Sequence, residues 1–424
     1  MPEALAGVRI ADFGTITAGA NASQILADLG ADVIKVESAS RPDTFRAWQT
    51  KASPSPSAAD APVDDPWNRT HTFNMVNRNK RGICLDLKHP RGRELALELV
   101  KISDGFVENY RQGVMDRLGV GYADVSAANP DICMISIGSQ GATGPEASYG
   151  SYGSTLDALS GLMSVTGYAD SPRPYWSSEE INYPDQVAST FCAGLLMAAL
   201  RLRNRTGQGR YVDLSQRELV TTLIGEQVLG YTAGRGAPVP TGNSRPGLAP
   251  NDCYRCLGDD AWVAISVASE TEWHTLCTAI GRADLASDAR FVSEQARTTH
   301  ADALRQELEV WTRQHSKREA MDLLQQAGIR AGAVLTGADM LQDPHLHDRG
   351  YYYPIEHPRA GHQTLRVAPY HLSETPPTID RPAPMLGQDT DSVLRDLLGQ
   401  SDQDLEALAA EHVTDNVPIA FAPL

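Results

Sequence analysis

Asp185 stands in the segment Ile181-Asn-Tyr-Pro-Asp185, just ahead of the apolar run Phe191-Cys-Ala-Gly-Leu-Leu-Met-Ala-Ala-Leu200. A proline followed by an acid at the head of such a run sets a carboxylate on the first turn of a helix. There the free N–H groups and the helix dipole favour its ionised form. Such a carboxylate either caps the helix or attacks an electrophile. Local pattern alone favours the cap, because acids collect in first turns for structural reasons.

Other residue types narrow the chemistry. The turn Gly14-Thr-Ile-Thr-Ala-Gly19 lacks dinucleotide spacing, and there is neither a Walker sequence nor a G-x-S-x-G elbow. Cys253-Tyr-Arg-Cys256 is a lone pair with no second pair for zinc, and His345 and His347 have no matching acids, so no metal site is expected. One patch is basic: Asn77-Arg-Asn-Lys-Arg81, followed by Lys88, Arg91 and Arg93. It precedes the strand-like Ile83-Cys-Leu-Asp-Leu87, at a sheet edge where loops hold ligands. Such cations either bind phosphate or face solvent.

The elements that must position these groups alternate. Val8–Phe13, Asp32–Val36, Gly105–Glu108 and Ile132–Ile137 read as strands, with helices over 22–29 and from Pro90 to about Ile102. This rhythm predicts an α/β fold with a mostly parallel sheet covered by helices. A helix over 186–204, a strand over 211–215 and a helix over 217–229 follow. The Gly/Pro-rich stretch 234–250 then opens a smaller α+β segment, and βα signals resume at Ala331-Gly-Ala-Val-Leu335. Helices are predicted near 389–398 and 401–412.

Composition excludes some partners. A net charge of −16 and 42% apolar residues over 424 positions fit a folded, acidic protein. They argue against general binding of nucleic acid or anionic membranes. No apolar stretch reaches the ~20 residues of a membrane span, and the N-terminus has no secretory pattern. With scattered cysteines, a cytoplasmic location is expected.

Taken in order, the segments form a recognisable set: Gly7-Val-Arg-Ile-Ala-Asp12, Gln24-Ile-Leu-Ala-Asp-Leu-Gly-Ala-Asp-Val-Ile-Lys-Val-Glu37, Asn77-Arg-Asn-Lys-Arg-Gly-Ile-Cys-Leu-Asp-Leu-Lys88, Asp104-Gly-Phe-Val-Glu-Asn-Tyr110 and Leu118-Gly119. They continue through Ala158-Leu-Ser-Gly-Leu-Met-Ser-Val-Thr-Gly167, Thr206-Gly-Gln-Gly209, Ala327-Gly-Ile-Arg-Ala-Gly332 and Pro384-Met-Leu-Gly-Gln-Asp389. The chain resembles the class III coenzyme A transferases, a superfamily with an α-methylacyl-CoA racemase branch.

That resemblance implies a chemistry and a plan. Asp185 falls where the family has its nucleophile, which carries acyl anhydride and CoA thioester intermediates, so no metal and no resident cofactor are needed. Coenzyme A, as substrate, is expected to contact Thr17, Ala18, Arg78, Lys80, Arg81, Asn109, Tyr110 and Arg117. Trp48, Tyr152 and Gly242 are expected near the acyl group. Gly138-Ser-Gln-Gly141 and the loop around Gly242 are candidate oxyanion donors. The implied architecture is a Rossmann-like large domain built from both termini (1–225, binding CoA, and 331–424) with a small domain and linkers over 226–330. Two such chains are expected to form an interlocked homodimer, with an acyl-CoA and a carboxylic acid as the other partners.

Departures from the family pattern limit the substrate. Gly242-Asn-Ser-Arg-Pro-Gly-Leu-Ala-Pro250 replaces the glycine run of formyl-CoA:oxalate transferases, which argues against oxalate. A racemase needs two acid/base groups, and Tyr152 occupies the place of the family's catalytic histidine; its unperturbed pKa of about 10 makes it a poor base. A weakly active subunit of a hetero-oligomer is the other alternative, against which Asp185 counts.

Overall fold

The computed structural model describes residues 3–47, 65–168, 170–171, 173–175, 182–237, 239–245 and 247–418. The described chain forms two compact units. One comprises residues 1–162, 176–234 and 348–424, and the other residues 163–175 and 235–347.

The first unit is built on β1 (Arg9–Phe13), β2 (Asp32–Glu37), β3 (Arg81–Cys84), β4 (Gly105–Glu108), β5 (Cys133–Gly138) and β6 (Arg210–Ser215), in the order β3-β2-β1-β4-β5-β6. Every pairing is parallel. Strands covered on both faces must be apolar in both phases. In β1, Ile10 enters one core and Ala11 and Phe13 the other; in β4, Val107 and Phe106 divide the same way. One face buries helices Ala18–Asp28 and Tyr183–Thr206, and the other helix Pro90–Lys101. Val393, Leu394, Leu405 and Leu408, from helices Thr390–Leu398 and Asp402–Ala410, complete that second core. The C-terminal segment therefore packs on the N-terminal sheet.

The second unit carries an antiparallel sheet of β7 (Asn251–Arg255), β8 (Trp262–Ser266) and β9 (Arg330–Ala333). Its core gathers Val263, Ile265, Trp273, Phe291 and Leu324. Here the expected boundaries shift. The segment at 331 does not resume the large sheet but pairs with β8, so this unit runs to residue 347 rather than 330. The expected helix over 217–229 is two helices, Gln216–Leu223 and Gly225–Thr232. The hairpin β10 (Tyr352–His357) and β11 (Gly361–Arg366) belongs to the first unit.

Candidate active site

In an open parallel sheet, ligands bind beyond the carboxyl ends of the strands where the strand order reverses. Here that point lies between β1 and β4. The turn after β1 and the residue after β4 are tied together: Thr15 N donates to Asn109 Oδ1 at 2.7 Å, and Asn109 Nδ2 donates to Thr15 O at 3.0 Å. Gly14 and Gly19 meet beneath this tie. A Cβ on Gly19 would lie 2.5 Å from Gly14 Cα and 2.6 Å from Asn109 Oδ1, so only glycine permits the approach.

Thr17 and Ala18 are buried, and they open the Ala18–Asp28 helix with no side-chain cap. What they offer a ligand is the backbone N–H groups of an 11-residue helix, suited to an anion. Glu108 accepts from Tyr110 N at 2.7 Å, and burial pushes its carboxyl up to about 7. A cavity of about 230 Å³ adjoins it, lined among others by Tyr110, Arg111, Gln112, Tyr122 and Tyr211.

Asp185 stands at the same edge. Asn182, in the left-handed region with φ 43°, ends the incoming chain, and Tyr183–Thr206 begins with Pro184 in its first turn. Asp185 is the third residue of that helix. The Ser189 hydroxyl lies 2.7 Å from Asp185 O and 3.3 Å from Thr17 O, and Asn21 Nδ2 donates to Gln186 Oε1 at 3.3 Å. The first turn of this helix therefore lies against the turn that follows β1. Gln216 Nε2 donates to Asp185 Oδ1 at 2.6 Å.

Burial works against the helix position. Helix position alone favours the ionised form, yet the Asp185 carboxyl is raised to about 6. Burial is the main cause; the Gln216 hydrogen bond lowers it, and the negative charge of Asp157 raises it. At pH 7 the group is still mostly ionised, and a raised pKa makes it more nucleophilic than an ordinary aspartate.

The basic patch is corrected further. Arg78 is bound by Asp28, with Nε–Oδ1 at 3.0 Å and Nη2–Oδ2 at 2.5 Å, and is 1% exposed. Lys80, wholly buried, donates to Asp12 Oδ2 at 2.9 Å, Ala20 O at 2.7 Å and Asn77 Oδ1 at 2.8 Å. Arg81 is forked onto Asp32 at the surface. A buried cation must be paired, and these are. Arg78 and Lys80 are thus not open phosphate ligands but parts of the frame.

That frame extends under the ligand turn. Lys35 Nζ donates to Gly14 O at 2.6 Å and Asp43 Oδ2 at 3.0 Å; Asp43 in turn accepts from Ile16 N at 3.1 Å. Arg46 is forked onto Glu37 and lies 3.6 Å over the Phe73 ring. Burial alone would lower Lys35, but Asp43, Asp12 and Glu37 outweigh it and leave it raised. For Lys80 burial prevails over Asp12, and its pKa falls to about 8.

The remaining expectations divide. Arg117 is exposed on the short Val114–Leu118 helix, clear of any salt bridge among the described residues. Tyr152 is 70% exposed and donates its N–H to Thr155 Oγ1. Gly242 belongs to the second unit, where its N–H donates to Gly167 O at 3.0 Å. In Gly138-Ser-Gln-Gly141, Gln140 Nε2 donates to Ser151 Oγ and its Oε1 accepts from Arg217. Trp48 lies outside the described residues. Among the described residues no cluster of three or more His, Cys, Asp or Glu could hold a metal, and no helix is long and apolar enough to cross a membrane.

Residues unforeseen in the sequence are Gln216, Ser189 and the buried charges Asp12, Lys35, Glu37, Asp43 and Arg46. The charges carried a signal. Asp12 in Ile-Ala-Asp-Phe and Lys35 in Val-Ile-Lys-Val interrupt strands that should be wholly apolar. Gln216 also stands where a ligand edge is expected, directly after β6.

Comparison with known proteins bears on this arrangement. The pattern of CoA-transferase family III matches residues 5–390. Succinyl-CoA–D-citramalate CoA-transferase of Chloroflexus aurantiacus is 32% identical over 412 residues, covering 97% of this chain and 98% of that protein. Formyl-CoA:oxalate CoA-transferase of Rhodopseudomonas palustris is 32% identical over 422 residues, covering 95% of each. A CaiB/BaiF family protein from Brucella suis superposes with a TM-score of 0.82 at 28% identity, covering 94% of this chain and all of that one.

Proposed function

Because the chain belongs to CoA-transferase family III, we propose that it moves coenzyme A from an acyl-CoA to a carboxylic acid, with Asp185 as the nucleophile. The observation that supports this reading is the approach of the helix bearing Asp185 to the Thr17 turn, where the Ser189 hydroxyl lies between Asp185 O and Thr17 O. That turn opens a helix able to receive a ligand's phosphates or carbonyl oxygen.

The steps balance without metal or resident cofactor. Asp185 Oδ2 attacks the donor thioester carbonyl, the C–S bond breaks, and CoA leaves as a thiolate with the electron pair. An anhydride of Asp185 and the donor acid remains. The thiolate then attacks Asp185 Cγ, the bond to the donor acyl oxygen breaks, and the donor acid departs as carboxylate. The acceptor carboxylate attacks the aspartyl thioester, and the same two steps run in reverse order. Because only anions exchange, no proton has to move.

The chain's own residues supply position. Thr17 and Ala18 present backbone N–H groups, Asn109 holds the turn, and exposed Arg117 is a cation able to meet a phosphate. Lys35, Asp43 and Asp12 hold the turn from below, and Arg78 and Lys80 brace the helix that follows it. Relatives whose names include succinyl-CoA make a dicarboxylic acceptor the first to test. The protein acts as a homodimer in this reading. Support comes from the Gly225–Thr232 helix, which buries no residue while Val228, Leu229 and Tyr231 stand 52%, 70% and 62% exposed.

The deciding experiment is transfer from a panel of acyl-CoA donors to free acids, read by mass spectrometry. Wild type should yield a new CoA ester, and Asp185→Ala none. With donor and hydroxylamine, only Asp185 should become modified. Near-wild-type transfer by Asp185→Ala would falsify the reading.

A further inference from the structure

One side chain contacts the proposed nucleophile directly. Gln216 is 5% exposed and follows Ser215, whose hydroxyl accepts from Glu218 N and so starts the Gln216–Leu223 helix. The strand β6 ends at Ser215, so the Gln216 backbone is fixed by both sheet and helix. A carboxylate only accepts, so the amide presents its NH2 group to Asp185 Oδ1, at 2.6 Å. Among the described residues Oδ2 has no hydrogen-bond donor. The two oxygens are thus unequal: one is held and the other is open.

We propose that Gln216 is a catalytic residue, whose amide fixes Oδ1 so that Oδ2 attacks and then stabilises the oxyanion formed on Oδ1. This assignment rests on the role of Asp185 proposed above. When thiolate attacks Asp185 Cγ, the C–Oδ1 double bond opens and its electron pair settles on Oδ1. The collapse that expels the donor carboxylate through Oδ2 restores that double bond. The charge therefore develops on the atom that Gln216 already touches. A donor buried beforehand costs no reorganisation at that moment. Among the described residues, Asp157 is the charged group that acts on the carboxylate.

The test compares wild type, Asp185→Ala, Gln216→Met and Gln216→Glu, using whichever acyl-CoA of a succinyl-, acetyl-, propionyl- and benzoyl-CoA panel wild type consumes fastest. Methionine keeps the length and removes the donor. Gln216→Met should lower kcat roughly 100-fold while the KM for the donor changes less than about threefold. The acid limb of its pH–rate profile should move above the wild-type limb, since the donor that favours the carboxylate is gone. Rapid-quench mass spectrometry should show the CoA thioester of Asp185 forming correspondingly late. Gln216→Glu should move the acid limb further, by like-charge repulsion.

Outcomes separate the two claims. If no donor is consumed, or Asp185→Ala stays active, the proposed function falls and the role of Gln216 with it. If Asp185→Ala is dead but Gln216→Met keeps both kcat and acid limb, the Gln216 assignment alone is overturned. Should Gln216→Met fail to fold, an unmoved acid limb in Gln216→Glu overturns it equally.

Discussion

Lys80 Nζ lies 2.9 Å from Asp12 Oδ2, and neither side chain has any solvent exposure. Breaking such a pair from one side strands a charge that water cannot reach. Asp12→Ala should therefore cost about 3–5 kcal/mol of stability. Replacing both members, as Asp12→Leu with Lys80→Met, should recover most of that loss. Urea unfolding of the three proteins measures this. A single variant within about 1 kcal/mol of wild type would show that the pair is not coupled to folding.

Asp185 should be held at a cost to stability. Its folded pKa lies near 6, above the ordinary 3.8. The fold thus disfavours the ionised form: the native state gains from the neutral acid below 3.8 and loses that gain as pH rises through about 6. Asp185→Asn, always neutral, should be more stable than wild type at pH 7 by about 1–2 kcal/mol, allowing for partial exposure. The advantage should vanish near pH 3. Thermal unfolding across this range checks the sign, and a destabilised Asp185→Asn at pH 7 would contradict it.

Coenzyme A affinity should separate Arg117 from the buried cations. Arg117→Ala is expected to weaken CoA binding about tenfold, the value of one charge-assisted hydrogen bond of roughly 1.5 kcal/mol, with the melting temperature unchanged. Lys80→Met should do the reverse and chiefly lower the melting temperature. Calorimetric titration with CoA alongside thermal melts reads both. Tight CoA binding by Arg117→Ala would move the phosphate site elsewhere.

Two tagged populations of the protein, mixed under native conditions for days, should stay unmixed. An interlocked dimer cannot exchange subunits without unfolding, and it buries far more than the ~1,600 Å² of a standard interface. Ready formation of mixed-tag dimers, or a concentration-dependent monomer in sedimentation, would exclude that arrangement.

What the sequence revealed, and what it hid, follows from range. Strands such as Gly105–Glu108 were legible because strands covered on both faces are continuous apolar runs. The helix after Pro90 was legible because proline suits a first turn. Arg330–Ala333 misled, because Arg-Ala-Gly-Ala carries no pattern that says which sheet it joins. Arg78 and Lys80 resemble a ligand patch along the chain because partners such as Asp28, 50 residues away from Arg78, are invisible there. Gln216 is hidden for the same reason. A neutral amide gains meaning only from the carboxylate that folding places beside it.

The buried salt bridges beneath the Gly14–Ala18 turn have a consequence for substrate choice. Lys35, Asp43 and Asp12 hold that turn through its backbone. Its conformational entropy is surrendered during folding, so the coenzyme A proposed as substrate would meet a rigid receptor. On that proposal, residues at the rim could be exchanged without disturbing the grip on the nucleotide. A chain built in this way could change which acid it serves while keeping the same carrier.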